Sequence, residues 1–221
     1  MCDRYANFTP EKIYQRFNVA DKSDPLVPRY NVTSGMSQPV VIRHNFNIVR
    51  FMQWGLVPSW SKNQKGGLKT TIIKSEGILE KPDFLKSLRR YRCLIPANGF
   101  YAWKALNYQD TAPYYFHLRT QELFAFAGLY DIWEDNSGEK LYTYAIITAT
   151  ANRLVRPVFD RMPVIISKES ESYWLNTAAV DMEKLVTLLK PYPAKDMSFY
   201  SIDKKINSPK NDYPDLIRPI S

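Results

Sequence analysis

The sequence predicts an α+β fold: one β-rich domain over residues 1–221 with helices at its periphery. Three observations point there. Aromatic residues make up 14% of the chain, with 15 tyrosines and 11 phenylalanines, and such side chains suit a pleated, half-buried surface. The 15 prolines break the chain into short segments, which favours strands and turns over a helical bundle. Apolar residues reach 45%, enough for one sizeable core, and no repeat, low-complexity tract or linker divides the chain.

The elements follow in order. "TPEKIYQRFN" predicts a short helix: Thr9 stands at the N-cap, Pro10 in the first turn, and Ile13 and Phe17 lie four apart. "RYNVTSG" reads as a strand ending in a turn, and two strands flank the hairpin turn "RHNFN". "SKNQKGGLKT" is polar, basic and glycine-bearing, the composition of a mobile loop. The short strand "IIKSEG" then leads to a helix on which Phe84, Leu85 and Leu88 share a side. "RCLIPANGFYAWK" is strand, turn, strand; "APYYFHLRT", "LFAFAGLYDIW" and "YTYAIITATA" are three more strands, with the turn "EDNSGEK" before the last. "NRLVRPVFDRMPVII" is a loop running into a strand. Ser167 is placed to cap a short helix, and "DMEKLVTLLK" gathers Leu185, Leu188 and Leu189 on one side of another. The tail from Tyr200 reads as irregular.

A net charge of +8 points to an anionic partner, nucleic acid first, or to a lysine-coated surface. The only two cysteines, Cys2 and Cys93, make no disulfide framework and fit a reducing, cytoplasmic setting. His44 and His117 have no metal-ligand spacing with them, so no metal and no cofactor is expected. There is no apolar run of membrane-spanning length and no secretory h-region. Phosphate-loop, dinucleotide and serine-triad motifs are missing. Cys93 in its apolar strand reads as buried, His117 as a sheet residue and His44 as surface.

Cys2 is the residue with chemistry. Removal of Met1 would leave an α-amine and a thiol on one residue. An α-amine titrates near pH 8, so part of it is neutral near pH 7 and can attack an aldehyde to form an imine. The thiol then closes a five-membered thiazolidine, an intramolecular step with a high effective concentration. An internal cysteine has no such amine.

Ten stretches in order, "MCDRYA", "RYNVTSG", "QWGLVPSW", "KSEG", "RCLIPANGFYAW", "FAGLYDIW", "ITATAN", "FDRMPVII", "YWLN" and "INSPKNDYPDLI", resemble the SOS-response-associated peptidase family of abasic-site processing proteins along essentially the whole chain. The resemblance implies a compact, barrel-like β-fold, monomeric, with a groove for single-stranded DNA. It implies that Cys2 traps the aldehyde of an abasic site as a covalent crosslink. It also implies that Arg4, Lys74 and Arg161 meet the lesion or phosphates, that Trp60 and Trp103 stack on bases, and that Asn31 and Thr148 border the pocket. Phosphate contacts of this kind set affinity and salt dependence, not sequence preference. Self-removal of the leading residue is the most that the peptidase name implies here.

The chain departs from the family at three places. The family has asparagine, glutamate and histidine in "NAR", "GFYEW" and "HDRMP"; aligned to those motifs, this chain has Ile72, Ala102 and Phe159. The losses remove proton shuttles and a hydrogen-bonding amide. Two functions therefore stand: crosslinking through Cys2 with altered kinetics, or a degenerate domain that binds single-stranded DNA or another ligand without crosslinking. Glu76 and Tyr101 are the neighbouring groups that could move protons instead.

Overall fold

The computed structural model describes residues 3–20, 25–62, 70–178 and 181–220. Its strands are β1 (Arg4–Asn7), β2 (Arg29–Thr33), β3 (Ser37–Arg43), β4 (Asn47–Trp54), β5 (Ile72–Lys74), β6 (Arg92–Ala97) and β7 (Gly99–Ala105). They continue with β8 (Thr111–Leu118), β9 (Phe124–Glu134), β10 (Lys140–Thr150), β11 (Arg161–Pro163), β12 (Ile165–Ile166) and β13 (Met197–Ser201). The helices are α1 (Ile13–Arg16), α2 (Pro82–Arg90), α3 (Lys168–Leu175) and α4 (Met182–Thr187).

Two sheets form. One runs β13-β8-β7-β1-β2; the other runs β11-β10-β4-β3-β6-β9-β12, with β5 beside β10. Because β9 also pairs with β10, strands β10, β4, β3, β6 and β9 close on themselves as a barrel, which leaves those five strands no open edge. The α+β, β-rich and barrel-like expectation holds.

Alternation of side chains builds three apolar layers. Val40, Ile42, Trp54, Ile95, Phe126, Tyr144 and Ile146 meet Tyr5, Val32, Phe100 and Phe116 of the five-stranded sheet. Their strand neighbours Val41, Leu94, Ala127, Ala145 and Ile147 face Ile13, Leu88, Trp174 and Leu185 on the helices. On its other face the five-stranded sheet packs Ala6, Tyr101 and Tyr115 under Ile202, Ile206 and Leu216 of the C-terminal segment. Two glycines permit the closest approaches. A Cβ on Gly128 would meet Ile95 and Cys93, and one on Gly99 would run into the ring of Tyr115.

Local expectations fared unevenly. The hairpin at Arg43–Asn47, the strands on either side of Asn98 and buried Cys93 are as read, though those two strands join different sheets. Thr9 and Ser167 stand at N-cap positions without capping through their side chains: the Thr9 hydroxyl instead accepts from Asn98 Nδ2 at 2.8 Å. The tail, read as irregular from Tyr200, instead begins inside a strand: β13 pairs along β8 from Met197↔Leu118 to Ser201↔Tyr114. Its alternating "MSFYS" carried that signal, but Lys195 and Asp196 beside it obscured it. The loop read in "SKNQKGGLKT" lies mostly outside the described residues.

Candidate functional site

Strand β1 begins at Arg4, two residues after Cys2, and sits between β7 and β2. Its alternation sends Tyr5 into the inter-sheet layer, where its hydroxyl meets that of Tyr144 at 2.8 Å. Arg4 goes to the opposite side. There its guanidinium donates to Asn31 Oδ1 (3.0 Å) and to the carbonyls of Ile206 (2.6 Å) and Asn207 (2.8 Å), 5.8 Å from the Trp103 ring centre. Trp103 donates through its indole to Asn207 Oδ1 at 2.7 Å. Asn31 donates to the carbonyls of Ile206, Ser208 and Asn211 at 3.2, 3.0 and 2.8 Å. Asp212 accepts from the Tyr30 and Asn31 amides and pairs with Arg29. Arg4, Asn31 and Trp103 thus come together, held by the "INSPKND" segment. Burial pulls Arg4 below the usual arginine value, and Asp3 opposes that shift.

A second group forms on the barrel. Strand β5 pairs in parallel with β10, so Lys74 lies opposite Thr148, and β11 brings Arg161 alongside. Arg161 donates to Thr148 Oγ1 (3.1 Å) and to the Thr148 carbonyl (2.7 Å), and pairs with Glu76 at 2.8 Å. Glu76 Oε1 also accepts from the Thr150 amide and hydroxyl at 3.0 and 2.9 Å. The Arg161 bond holds the Glu76 carboxyl down at about 2. Glu76 is thereby kept ionised and spent on Arg161, which makes it a poor proton donor near neutrality. Tyr101 is no better placed: its hydroxyl donates to the Tyr30 carbonyl, and burial raises it well above an ordinary phenol.

Two of the three departures lie at the inter-sheet layer, and the third is half-buried beside it. Ala102 is 1% exposed within it, and Phe159 packs against it. Ile72 lies opposite Ile146 of the same layer, while its neighbour Ile73 belongs to the helix side. Trp60 stands apart from both groups. It is 67% exposed, on a loop fastened by Ser59 N to Asp131 Oδ2 (2.8 Å) and by Trp133 Nε1 to the Ser61 carbonyl (2.9 Å). Asp131 pairs with Thr143, which is roughly 17 Å along β10 from Thr148 at a rise of about 3.4 Å per residue. Cys2 lies outside the described residues. Sequence reasoning missed Asn207 and Asp212; the polar "INSPKND" run contained them, but nothing local names their partners.

Among the described residues no group of three or more His, Cys, Asp or Glu could hold a metal ion. No described helix is long and apolar enough to cross a membrane.

The model of the SOS response associated peptidase (SRAP) family matches residues 1–209. A Bacillus subtilis (strain 168) relative, abasic site processing protein YoqW, is 40% identical over 98% of this chain and 99% of its own. The Rattus norvegicus abasic site processing protein HMCES is 29% identical over 89% of this chain and 66% of its own. A crystal structure of a Bacteroides thetaiotaomicron protein superposes with a TM-score of 0.89 at 27% identity, covering 100% of both chains. With the family model spanning nearly the whole chain and the same fold in a solved relative, this chain belongs to the SOS response associated peptidase family.

Proposed function

We propose that this protein processes abasic sites in single-stranded DNA by forming a thiazolidine crosslink through Cys2 once Met1 is removed. The observation that carries the reading is the placement of Arg4. The residue two positions after Cys2 is anchored by three hydrogen bonds beside Trp103 and Asn31, so the chain leaves a fixed cationic and aromatic point toward its terminus. Two residues reach at most about 7 Å, which limits how far the amine and thiol stray from that point.

The chemistry balances without a cofactor. The neutral amine adds to the ring-opened sugar aldehyde and water leaves, giving the imine. The thiol sulfur adds to the imine carbon, and its proton ends on nitrogen. Asn31 and Thr148, both buried, hold the Arg4 and Arg161 guanidiniums from behind, Lys74, Arg4 and Arg161 supply positive charge for phosphates, and Trp103 and Trp60 offer ring faces to bases. Isoleucine, alanine and phenylalanine at 72, 102 and 159 cannot shuttle protons, so the crosslink forms and reverses with altered kinetics.

The apolar trio favours a second reading, a degenerate domain that holds single-stranded DNA without bonding to it. One experiment separates the two. The mature protein is incubated with an oligonucleotide bearing one abasic site and resolved on a denaturing gel, after intact mass has shown whether Met1 is gone. A shifted band absent from Cys2→Ala supports crosslinking. A demethionylated protein that binds the strand yet gives no band over hours leaves the binding module.

A further inference from the structure

Helix α2 turns one side to the core and a cationic side to solvent. Ser87 and Leu88 are buried, and Leu88 and Phe84 pack in the layer beneath the helices with Ile73, Leu129 and Trp174. Lys86, Arg89 and Arg90 are exposed. Arg89 and Arg90 follow Lys86 by three and four positions, so the three share one side of the helix. Among the described residues none of them forms an ion pair with a carboxylate.

The stability of the helix does not call for these charges. Cations near a helix C-terminus offset the macrodipole and cover its last carbonyls. In α2 buried Arg92 already does both: its guanidinium donates to the Leu88 and Arg89 carbonyls at 2.5 and 2.9 Å, and the Tyr91 amide takes the Ser87 carbonyl at 2.7 Å. Arg89 and Arg90 are left over from that role, and like charges at the spacing of Lys86 and Arg90 repel. The acidic residues of this stretch, Glu80 and Asp83, stand at the other end of the helix.

The cationic side adjoins Trp60. Lys86 Nζ lies 3.2 Å from the hydroxyl of Ser59, the residue before Trp60, and 5.6 Å from the ring centre of Tyr91. Lys62, also exposed and outside every ion pair among the described residues, follows on the same loop. Asp131 accepts from the Ser59 amide and Trp133 donates to the Ser61 carbonyl, so ring and cations hold a fixed relation. The loop is also backed by Thr143, whose hydroxyl accepts from the Val57 amide at 2.9 Å. Thr143 is roughly 17 Å along β10 from Thr148 of the Arg161 group at a rise of about 3.4 Å per residue.

We propose that Lys86, Arg89 and Arg90 hold phosphates of the strand beyond the base on Trp60, so that α2 is a second contact face for the single strand flanking the lesion. The inference rests on the reading of this protein as a single-strand binder, and it needs neither Cys2 nor crosslinking. Charge complementarity selects the partner. Cations that track a backbone beside a ring on which a base stacks are the means of single-strand binding. Lysine and arginine on phosphate oxygens read no base, so this face adds affinity and salt dependence without sequence preference. It lies away from the Arg161 group, so it acts only on a strand long enough to pass Trp60.

The experiment measures equilibrium binding of the full chain to two oligonucleotides across a salt series, by fluorescence anisotropy. Both carry a tetrahydrofuran abasic analogue, which has no aldehyde and cannot crosslink. One ends at the immediate neighbours of the analogue, and the other has long flanks. Each phosphate contact adds about 0.7 to the slope of log affinity against log salt. Arg89→Gln/Arg90→Gln should lower the long-strand slope by about 1.4, and the affinity about 25-fold at about 0.1 M salt relative to 1 M, with no change for the short strand. Both positions are exposed, so the variant should keep the parent's thermal melt. Lys190→Gln/Lys195→Gln removes two exposed charges from the segment before β13 and should change neither slope. The proposal is overturned if the α2 pair leaves the long-strand slope unchanged, if it lowers the short-strand slope as much, or if the control pair lowers the long-strand slope equally. A parent that binds the short strand and gains nothing from the long one removes this face alone. A parent that binds neither strand takes the single-strand reading with it.

Discussion

Ala102→Glu returns a carboxyl to the position where the family motif carries one, and the structure predicts that it destabilises the domain. Ala102 is 1% exposed in the layer shared with Tyr5, Phe100 and Phe116. Among the described residues that layer is built of apolar and aromatic side chains, so a carboxyl there enters protonated. Holding it neutral at pH 7 against an unfolded value near 4.3 costs about 1.36 kcal/mol per unit, or about 4 kcal/mol. Burying the neutral acid adds about 1–3 kcal/mol. The sum, about 5–7 kcal/mol, reaches the lower range of whole-domain stability, about 5–15 kcal/mol. The folded state binds the extra proton, so the sign is fixed: the penalty is smallest below the unfolded value and grows as pH rises above it. Urea denaturation of variant and parent at pH 7 and pH 4.5 measures it. The difference between them should shrink at pH 4.5 to about 1–3 kcal/mol. A loss under about 1 kcal/mol at both pH values would mean a polar partner waits there, and the reasoning about an apolar pocket would be refuted.

Three further outcomes follow from the same geometry. Trp60→Ala, at a residue 67% exposed, should leave stability within about 0.5 kcal/mol but weaken single-strand binding by about 1–3 kcal/mol if its ring carries a base; unchanged affinity in a filter-binding titration would remove Trp60 from the interface. The Glu76 carboxyl is held at about 2 by Arg161, so its stabilising effect is present above the unfolded value near 4.5 and is lost as pH falls toward 2; Glu76→Gln should flatten that acid limb in thermal melts, and an identical pH profile would contradict the pairing. Arg92, 1% exposed, donates to the Trp174, Leu88, Arg89 and Asn176 carbonyls and ties together the C-terminal ends of α2 and α3, with burial lowering it to about 10. Arg92→Met strands those carbonyls and should cost about 3 kcal/mol in denaturant titration, whereas a loss under about 1 kcal/mol would show that water replaces the guanidinium.

Strands β6 to β10 were legible because each alternates apolar and polar residues or is bounded by turn signals, and that pattern is local. Cys93, His44 and His117 were legible for the same reason. The site was legible in its identities and not in its bonds. Arg4 meets Ile206 and Asn207 from more than 200 positions away, and Asp212 reaches Tyr30 across 182. Hydrophobic periodicity says nothing about such partners, because they are set by how the C-terminal segment crosses the sheet. The same holds for Glu76. Its place in the "KSEG" motif made it a candidate proton carrier, while the long-range pairing with Arg161 makes it a fixed anion. Trp60 and Trp103 look alike in sequence as tryptophans closing aromatic motifs. The chain carries one into the Arg4 group and the other to a distant loop.

Under the proposed chemistry, the apolar trio acts on crosslink formation and reversal unequally, and magnitudes decide the direction. An amine titrating near pH 8 is about one tenth neutral at pH 7. Desolvation by Ile72, Ala102 and Phe159 can raise that fraction, but at most to unity, a gain of about tenfold. Loss of a general acid–base group removes about a hundredfold to ten-thousandfold. Formation therefore slows by about ten- to a thousandfold, with the extra neutral amine recovering part of the loss. Reversal needs the ring nitrogen or sulfur protonated on departure, which an apolar layer opposes, and it recovers nothing. The adduct forms slowly and persists longer relative to its formation than in a protein with the polar trio. Single-turnover formation and strand-exchange release, followed on one preparation, should show release slowed more than formation. Equal slowing of the two would place the proton transfers in bulk water and remove the apolar trio from the kinetics.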